Sequence, residues 1–158
     1  MIVVSDASVL INLDRIGQLA LLREIYGRVA VPAAVWHEVW RGAPRLVESQ
    51  SEWIELIPVA NRELVAKLAE NLDPGESEAI ALAIEIRADF LLIDENLGRA
   101  TALRLGVRIT GLLGLLVVAK HRKLIPAVAP HVRALLEEGF WLSADLVARI
   151  LQQVNESK

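Results

Sequence analysis

Cysteine is absent from the 158 residues. Its absence removes disulfides, thiolate metal sites and a cysteine nucleophile together, and it suits a reducing compartment. Aromatic residues are scarce at 4% (four Trp, two Phe, one Tyr), so a core has to be built from Leu, Ile, Val and Ala. Positive charge is not in excess either. Seventeen Lys and Arg face twenty Asp and Glu, a net charge of −3, and no global positive field advertises nucleic acid. Long hydrophobic runs are missing: the most apolar stretch, Leu112 to Ala119, is too short to span a bilayer and ends in Lys120-His121-Arg122-Lys123. The opening residues, Met1 to Asp6, carry no basic region and meet a carboxylate at once. A cytoplasmic protein without membrane association is the expectation. No repeat, linker or low-complexity tract divides the chain, so 1–158 reads as one domain. What is present is apolar: 54% hydrophobic residues provide ample area to offset the entropy of ordering.

Short aliphatic runs alternate with helical patterns. Strands are expected at Ile2 to Ser5, Arg28 to Val31, Trp53 to Val59 (an edge strand, because Pro58 lies within it), Phe90 to Ile93 and Val107 to Thr110. Helices are expected at Ser8 to Ile16, Gln18 to Ile25, Pro32 to Trp40 with Gly42 as a stop, Asn61 to Asn71, Pro74 to Arg87 behind Asp73 as a cap, and Glu95 to Leu105. After Gly111 only helices follow: Leu112 to His121, Ala127 to Glu137 and Ala144 to Val154, the last capped by Ser143. Strands separated by helices imply parallel pairing with right-handed crossovers. The predicted class is therefore α/β: a three-layer helix-sheet-helix sandwich with a parallel four- or five-stranded sheet over 1–110, and a helical part over 111–158.

Two of the strands run into an acid, Ile2-Val3-Val4-Ser5 into Asp6 and Phe90-Leu91-Leu92-Ile93 into Asp94. Ligands of parallel α/β sheets bind beyond the carboxyl ends of the strands, which places both acids at the site end. Glu38, two turns into the helix after Pro32, and Glu76, one turn into the helix after Asp73, come from helix N-terminal halves that face the same end. Each has an ordinary alternative role. Asp6 and Asp94 read equally as helix-start residues, Glu76 as the return arm of a capping box with Asp73, and Glu38 as a solvated helix residue. Four carboxylates in one crevice repel one another unless cations lie between them. Hard oxygen donors suit Mg²⁺ or Mn²⁺ rather than zinc.

At these residues the sequence resembles the PIN-domain nucleases, in particular the VapC-like toxin branch and its uncharacterised relatives. The matching pieces are Val4-Ser5-Asp6-Ala7-Ser8-Val9-Leu10-Ile11, Val31-Pro32-x-x-Val35-x-x-Glu38, Gly75-Glu76-Ser77-Glu78-Ala79-Ile80-Ala81-Leu82-Ala83 and Leu92-Ile93-Asp94. Arg99 and Thr110-Gly111-Leu112-Leu113-Gly114 extend the likeness. The resemblance implies a PIN-like fold and an endoribonuclease that uses Mg²⁺ or Mn²⁺. Its substrate would be RNA, and the protein would often be the toxin of a pair with an antitoxin protein as partner. The acids it carries over, as metal ligands and catalytic residues, are Asp6, Glu38, Glu76 and Asp94. One departure is visible: the toxins place Asp-Ala at the third acid, where this chain has Glu76-Ser77. Glu78-Ala79 keeps the acid-Ala pair and makes Glu78 the reserve.

Supporting residues stay open between two roles. Ser8 orients a metal-bound water or caps the first helix; Asn12, one turn on, points into the crevice or is a surface amide. Arg99 contacts an RNA phosphate or pairs with Glu95 at i, i+4. Lys120 to Lys123 steer phosphate or complement a helix dipole, and Trp36 and Trp40 read as core or interface. A haloacid-dehalogenase-like phosphatase needs a second Asp where Ser8 stands, and a receiver domain needs a Lys after the last strand. The remaining rival is a catalytically degenerate PIN-fold module that binds nucleic acid or regulates. The nearly all-apolar run Leu112 to Val118 and the large apolar area that Trp36 and Trp40 add near Glu38 lead to the expectation of a two-fold homodimer.

Overall fold

The computed structural model describes residues 1–44, 46 and 52–156. Val3–Ser5 (β1), Val29–Val31 (β2), Ile54–Leu56 (β3), Phe90–Leu92 (β4) and Ile109–Thr110 (β5) form one sheet in the order β3-β2-β1-β4-β5. Every pairing in it is parallel. The order reverses at β1, whose register to β4 pairs Val3 with Phe90, Val4 with Leu91 and Ser5 with Leu92. One further bond, from Asp6 N–H to the Leu92 carbonyl at 2.9 Å, carries the pairing past the strand. Asp6 and Asp94 therefore leave neighbouring strands at the same end of the sheet.

The helices set by the described residues are Ala7–Arg15 (α1), Ala20–Tyr26 (α2), Ala33–Gly42 (α3), Arg62–Leu68 (α4), Pro74–Glu85 (α5), Asn96–Arg104 (α6), Leu112–His121 (α7), Ala129–Glu137 (α8) and Ala144–Gln153 (α9). Together with the sheet they make the expected α/β sandwich. The edge strand expected from Trp53 is β3, at the sheet margin, shortened to three residues ahead of Pro58. Gly42 does not stop α3 but is its last residue, with Ala43 as the C-cap.

Two helices are apolar on nearly every side, and burial explains both. In α5, Ser77 to Ala83 are all buried, because the helix packs on β1 and β4 and also touches α3, α4 and α6. In α7, Leu112, Leu113, Leu115, Leu116 and Ala119 are buried inside the chain. The surplus that suggested a homodimer is thus largely consumed internally. The C-terminal helices cover it, and Lys120, Arg122 and Glu156 fasten them. Lys120 Nζ bonds Glu156 at 2.8 Å and the Val154 carbonyl at 2.5 Å; Arg122 donates to the Ile25 carbonyl at 3.2 Å. Two cations of the basic run are thereby engaged in holding the fold. Among the described residues no helix is long and apolar enough to cross a membrane.

A candidate acidic active site at the carboxyl end of the sheet

Asp6 follows β1 with extended backbone and caps α1, accepting from Val9 N–H at 2.9 Å. Ser8, one of whose two readings was that cap, is displaced from the role by Asp6. It lies instead inside α1, lining a cleft beside Asp94, and its hydroxyl accepts from Asn12 Nδ2 at 3.2 Å. Asn12 is only 8% exposed, so the surface-amide reading fails: its amide bonds back to the Ser8 carbonyl at 2.9 Å and stiffens the turn behind Asp6.

Asp94 is not a cap of the helix that follows it. Glu95 has that place, accepting from Gly98 N–H at 2.7 Å, while Asp94 crosses to the start of α7 and accepts from Leu112 N–H at 3.1 and 3.3 Å. Gly111 makes room for the crossing: a Cβ there would lie 2.5 Å from Asp94 Oδ1 and 2.7 Å from Arg99 Nη1. Arg99 donates to the Ile93 carbonyl at 2.8 Å and its charge acts on Asp94. No Arg99–Glu95 ion pair forms, because Glu95 is turned to the N-terminus of its own helix.

The α5 entry supplies the third side. Asp73 caps it, accepting from Glu76 N–H at 2.8 Å. The capping box is only half formed, since Glu76 does not return to the Asp73 N–H. Its Oε2 is buried and accepts no hydrogen bond, and it sits 2.7 Å from where a Gly98 Cβ would stand. Glu38 reaches over from α3, its Oε1 2.5 Å from the position of a Gly75 Cβ. Glycine at 75, 98 and 111 is thus the space that the carboxylates occupy.

Glu78 goes elsewhere. Two residues along a helix rotate about 200°, so it faces away from Glu76. Its Oε1 accepts from Ala34 N–H at 2.9 Å and its Oε2 takes Arg62 Nη1 at 3.0 Å.

Burial and mutual repulsion make the crevice electrostatically costly. Burial above all, helped by the charges of Asp94 and Asp73 and opposed by Val9 N–H, pushes Asp6 up to about 8. Burial raises Asp94 to about 6 against the pull of Leu112 N–H and Arg99. Glu76 rises to about 9 through burial and then through the Asp73 and Glu95 carboxylates, to which only its protonated form can donate. Glu38 is raised by burial and by Asp73.

Asp73 and Glu95 are crevice residues that the sequence presents only as a helix cap and a helix-pair partner. The available signal was position: both open helices that begin at the site end. Among the described residues no three acid or imidazole side chains stand close enough to enclose one ion as they are placed. The donor chemistry nevertheless suits a hard divalent cation: oxygen donors only, an orphaned carboxylate oxygen, and Arg99 as the cation acting on Asp94.

Among proteins of curated function none matches the chain. A family model described as PIN domain does, over residues 2–156. Its span takes in the Asp6 strand end, the α3 and α5 acids, the Asp94 strand end and the C-terminal helices, so the whole arrangement described above lies within it. This chain belongs to the PIN-domain family.

Proposed function

We propose that the chain is a divalent-cation-dependent endoribonuclease that hydrolyses phosphodiester bonds of single-stranded or structured RNA. PIN domains are generally nucleases, and the finer reading rests chiefly on one observation: the buried, unbonded Oε2 of Glu76 among other carboxylates. A buried carboxylate without a partner is costly, and here it lies beside the Asp73 and Glu95 carboxylates, whose charges add to that cost. Asp6, Glu38, Glu76 and Asp94 are the residues that would hold Mg²⁺ or Mn²⁺. When bound, such an ion supplies an activated water and counter-charge for the phosphoryl oxygens.

The chain's own groups do the rest. Val9 and Leu112 N–H groups fix one carboxylate each, so Asp6 and Asp94 present their remaining lone pairs in set directions. Asn12 and Ser8 brace the turn beneath Asp6. Arg99, tethered by the Ile93 carbonyl, keeps donors to offer a phosphate oxygen. Neutralising four of the twenty acids would also remove the net negative charge that otherwise opposes RNA.

Purified protein with Mg²⁺ or Mn²⁺ is expected to cleave single-stranded RNA, and a chelator to stop it. Equal cleavage by wild type and Asp6→Asn would assign the activity to a contaminant. Binding of RNA without cleavage under any divalent ion would favour the degenerate module instead. The same reading extends to a cytoplasmic toxin with an antitoxin protein as partner, which a small antitoxin-type reading frame beside the gene would support. It extends also to a homodimer through residual apolar surface such as Trp40, 48% exposed, which light scattering tests.

A further inference from the structure

A cleft of about 690 Å³ opens beside the acids, and it joins two chemistries. One end is Asp94, Glu95 and Arg99. The other is apolar, with Leu113 of α7 on one side and, on the other, Phe140 and Trp141 of the segment leading into α9 and Leu146 of α9 itself. Arg99 is the one cation among the described lining residues. Trp141 is 78% exposed, although Trp is among the side chains that gain most from burial. The chain has seven aromatic residues in all, and two of them, Phe140 and Trp141, stand side by side in this wall.

The α9 helix that backs the wall is amphipathic but has no buried residue. Leu146, Val147 and Ile150 pack partly on the core, and Ser143 caps the helix through Leu146 N–H at 3.1 Å. The segment is therefore fastened at its base by Ser143 and further on by Glu156, while its indole is left in solvent at the mouth of the cleft.

We propose that Trp141 is a nucleobase-stacking platform, and that the cleft takes the base of a nucleotide whose phosphate lies at Arg99. The inference rests on the ribonuclease reading above and adds a substrate-binding residue to it. Arg99 at one end offers donors to a phosphate oxygen and the aromatic, apolar end offers a face to a base, so the cleft matches both parts of a nucleotide. Its volume is of the size that small-ligand sites have. Stacking asks only for an unpaired base, since every base has a π-face, so the platform selects single-stranded over fully paired RNA.

The test compares wild-type protein, Trp141→Ala and Trp141→Phe on a short single-stranded RNA and on the same RNA with one abasic nucleotide scanned along it. Binding is read by anisotropy with Ca²⁺ present, and KM and kcat with Mn²⁺. Expected is a loss of roughly tenfold in affinity for Trp141→Ala, expressed in KM more than in kcat, with Trp141→Phe restoring most of it. At one abasic position wild type and Trp141→Ala should become equal. Wild type that binds and cleaves RNA while Trp141→Ala does the same with unchanged KM would overturn the platform and leave the ribonuclease standing. Unchanged RNA affinity combined with an altered oligomeric mass would assign Trp141 to a second copy of the chain and overturn it too. Wild type that neither binds nor cleaves RNA would overturn the ribonuclease reading itself.

Discussion

At the C-terminal corner Glu156 has everything a carboxylate can use. It accepts from Val128 and Ala129 N–H at the start of α8 and from Lys120 Nζ, all between 2.8 and 2.9 Å. Against the cost of burial, these partners hold it down to about 2. In the crevice the same functional group meets helix N-termini as well, yet Asp6 and Glu76 stand at about 8 and 9. The difference is burial first, the largest influence on Asp6 and Glu76, and then the sign of the neighbouring charges. Glu156 has an ammonium group, whereas Asp6 faces Asp94 and Asp73, and Glu76 faces Asp73 and Glu95. One region spends its acid on the fold, and the other holds acids in a state that the fold alone does not favour, which is the physical mark of a site.

The largest way to break this comparison is to remove crevice charge. Asp6→Asn keeps the cap, because Asn serves an N-cap as well as Asp, and Asp94→Asn keeps an oxygen for Leu112 N–H. Each is expected to lower RNA cleavage by more than about 100-fold, since altering even the groups behind metal ligands costs about 10- to 100-fold. Each should also raise the melting temperature of the metal-free protein. The double readout matters: lost activity with a lowered melting temperature would mean that these acids are structural.

Titration sharpens the contrast, because the two regions have opposite signs. Asp6 ordinarily titrates at 3.8 and here at about 8. Between those values the folded chain keeps a proton that the unfolded chain has released, so stability falls as pH rises from about 4 to about 8. Glu156 is depressed from 4.5 to about 2, so its contribution is complete above about 4.5 and fades as pH falls toward 2. Melting of the metal-free protein should therefore fall as pH rises from about 4 to about 8 unless Mg²⁺ or Mn²⁺ is added. A cation that leaves this slope unchanged would speak against metal at the crevice.

Next in size is the clamp itself. Glu156→Gln removes the charge that Lys120 and two helix N–H groups share. Hydrogen bonds to charged groups contribute about 1.5–3 kcal/mol, so a loss on the order of 2 kcal/mol is expected by chemical denaturation. Cleavage of RNA below the melting temperature should change little. A variant as stable as wild type would show that α8 and α9 are held by apolar packing alone.

How much of this was legible before folding follows from geometry. Asp6 and Asp94 were readable because parallel strands deliver their carboxyl ends to one edge, whatever the tertiary detail. The apolar run of α7 was recognisable as needing burial, but composition could not tell burial in the core from burial in a partner; the chain itself covers it. Asp73 and Glu95 were hidden because a helix cap for the one and an i, i+4 pair for the other are complete explanations of an acid in sequence, and only the direction of the helices shows that both also face the crevice. Asn12 looked superficial because an amide bonded to its own preceding turn leaves no trace in the sequence. Trp141 lies outside every motif quoted above and became visible only through its exposure beside the acids.

The smallest contrast is the closest in sequence, Glu76 against Glu78. Glu76→Gln retains the shape and gives the orphaned position a donor for Asp73 or Glu95, so the metal-free protein should hold or gain stability while cleavage falls. Glu78→Gln takes the charge from Ala34 N–H at the start of α3 and from Arg62. The Arg62 side chain is 61% exposed, which makes its ion pair a weak contributor, so the loss is mainly that of the buried bond to Ala34. About 1 kcal/mol of destabilisation is expected, with a smaller effect on cleavage that follows from α3 and Glu38 shifting. Urea denaturation and initial rates on one RNA separate the two. If Glu78→Gln abolished cleavage at unchanged stability while Glu76→Gln cleaved normally, the third ligand would be Glu78, and α5 would have to rotate by half a turn from its place here to present it.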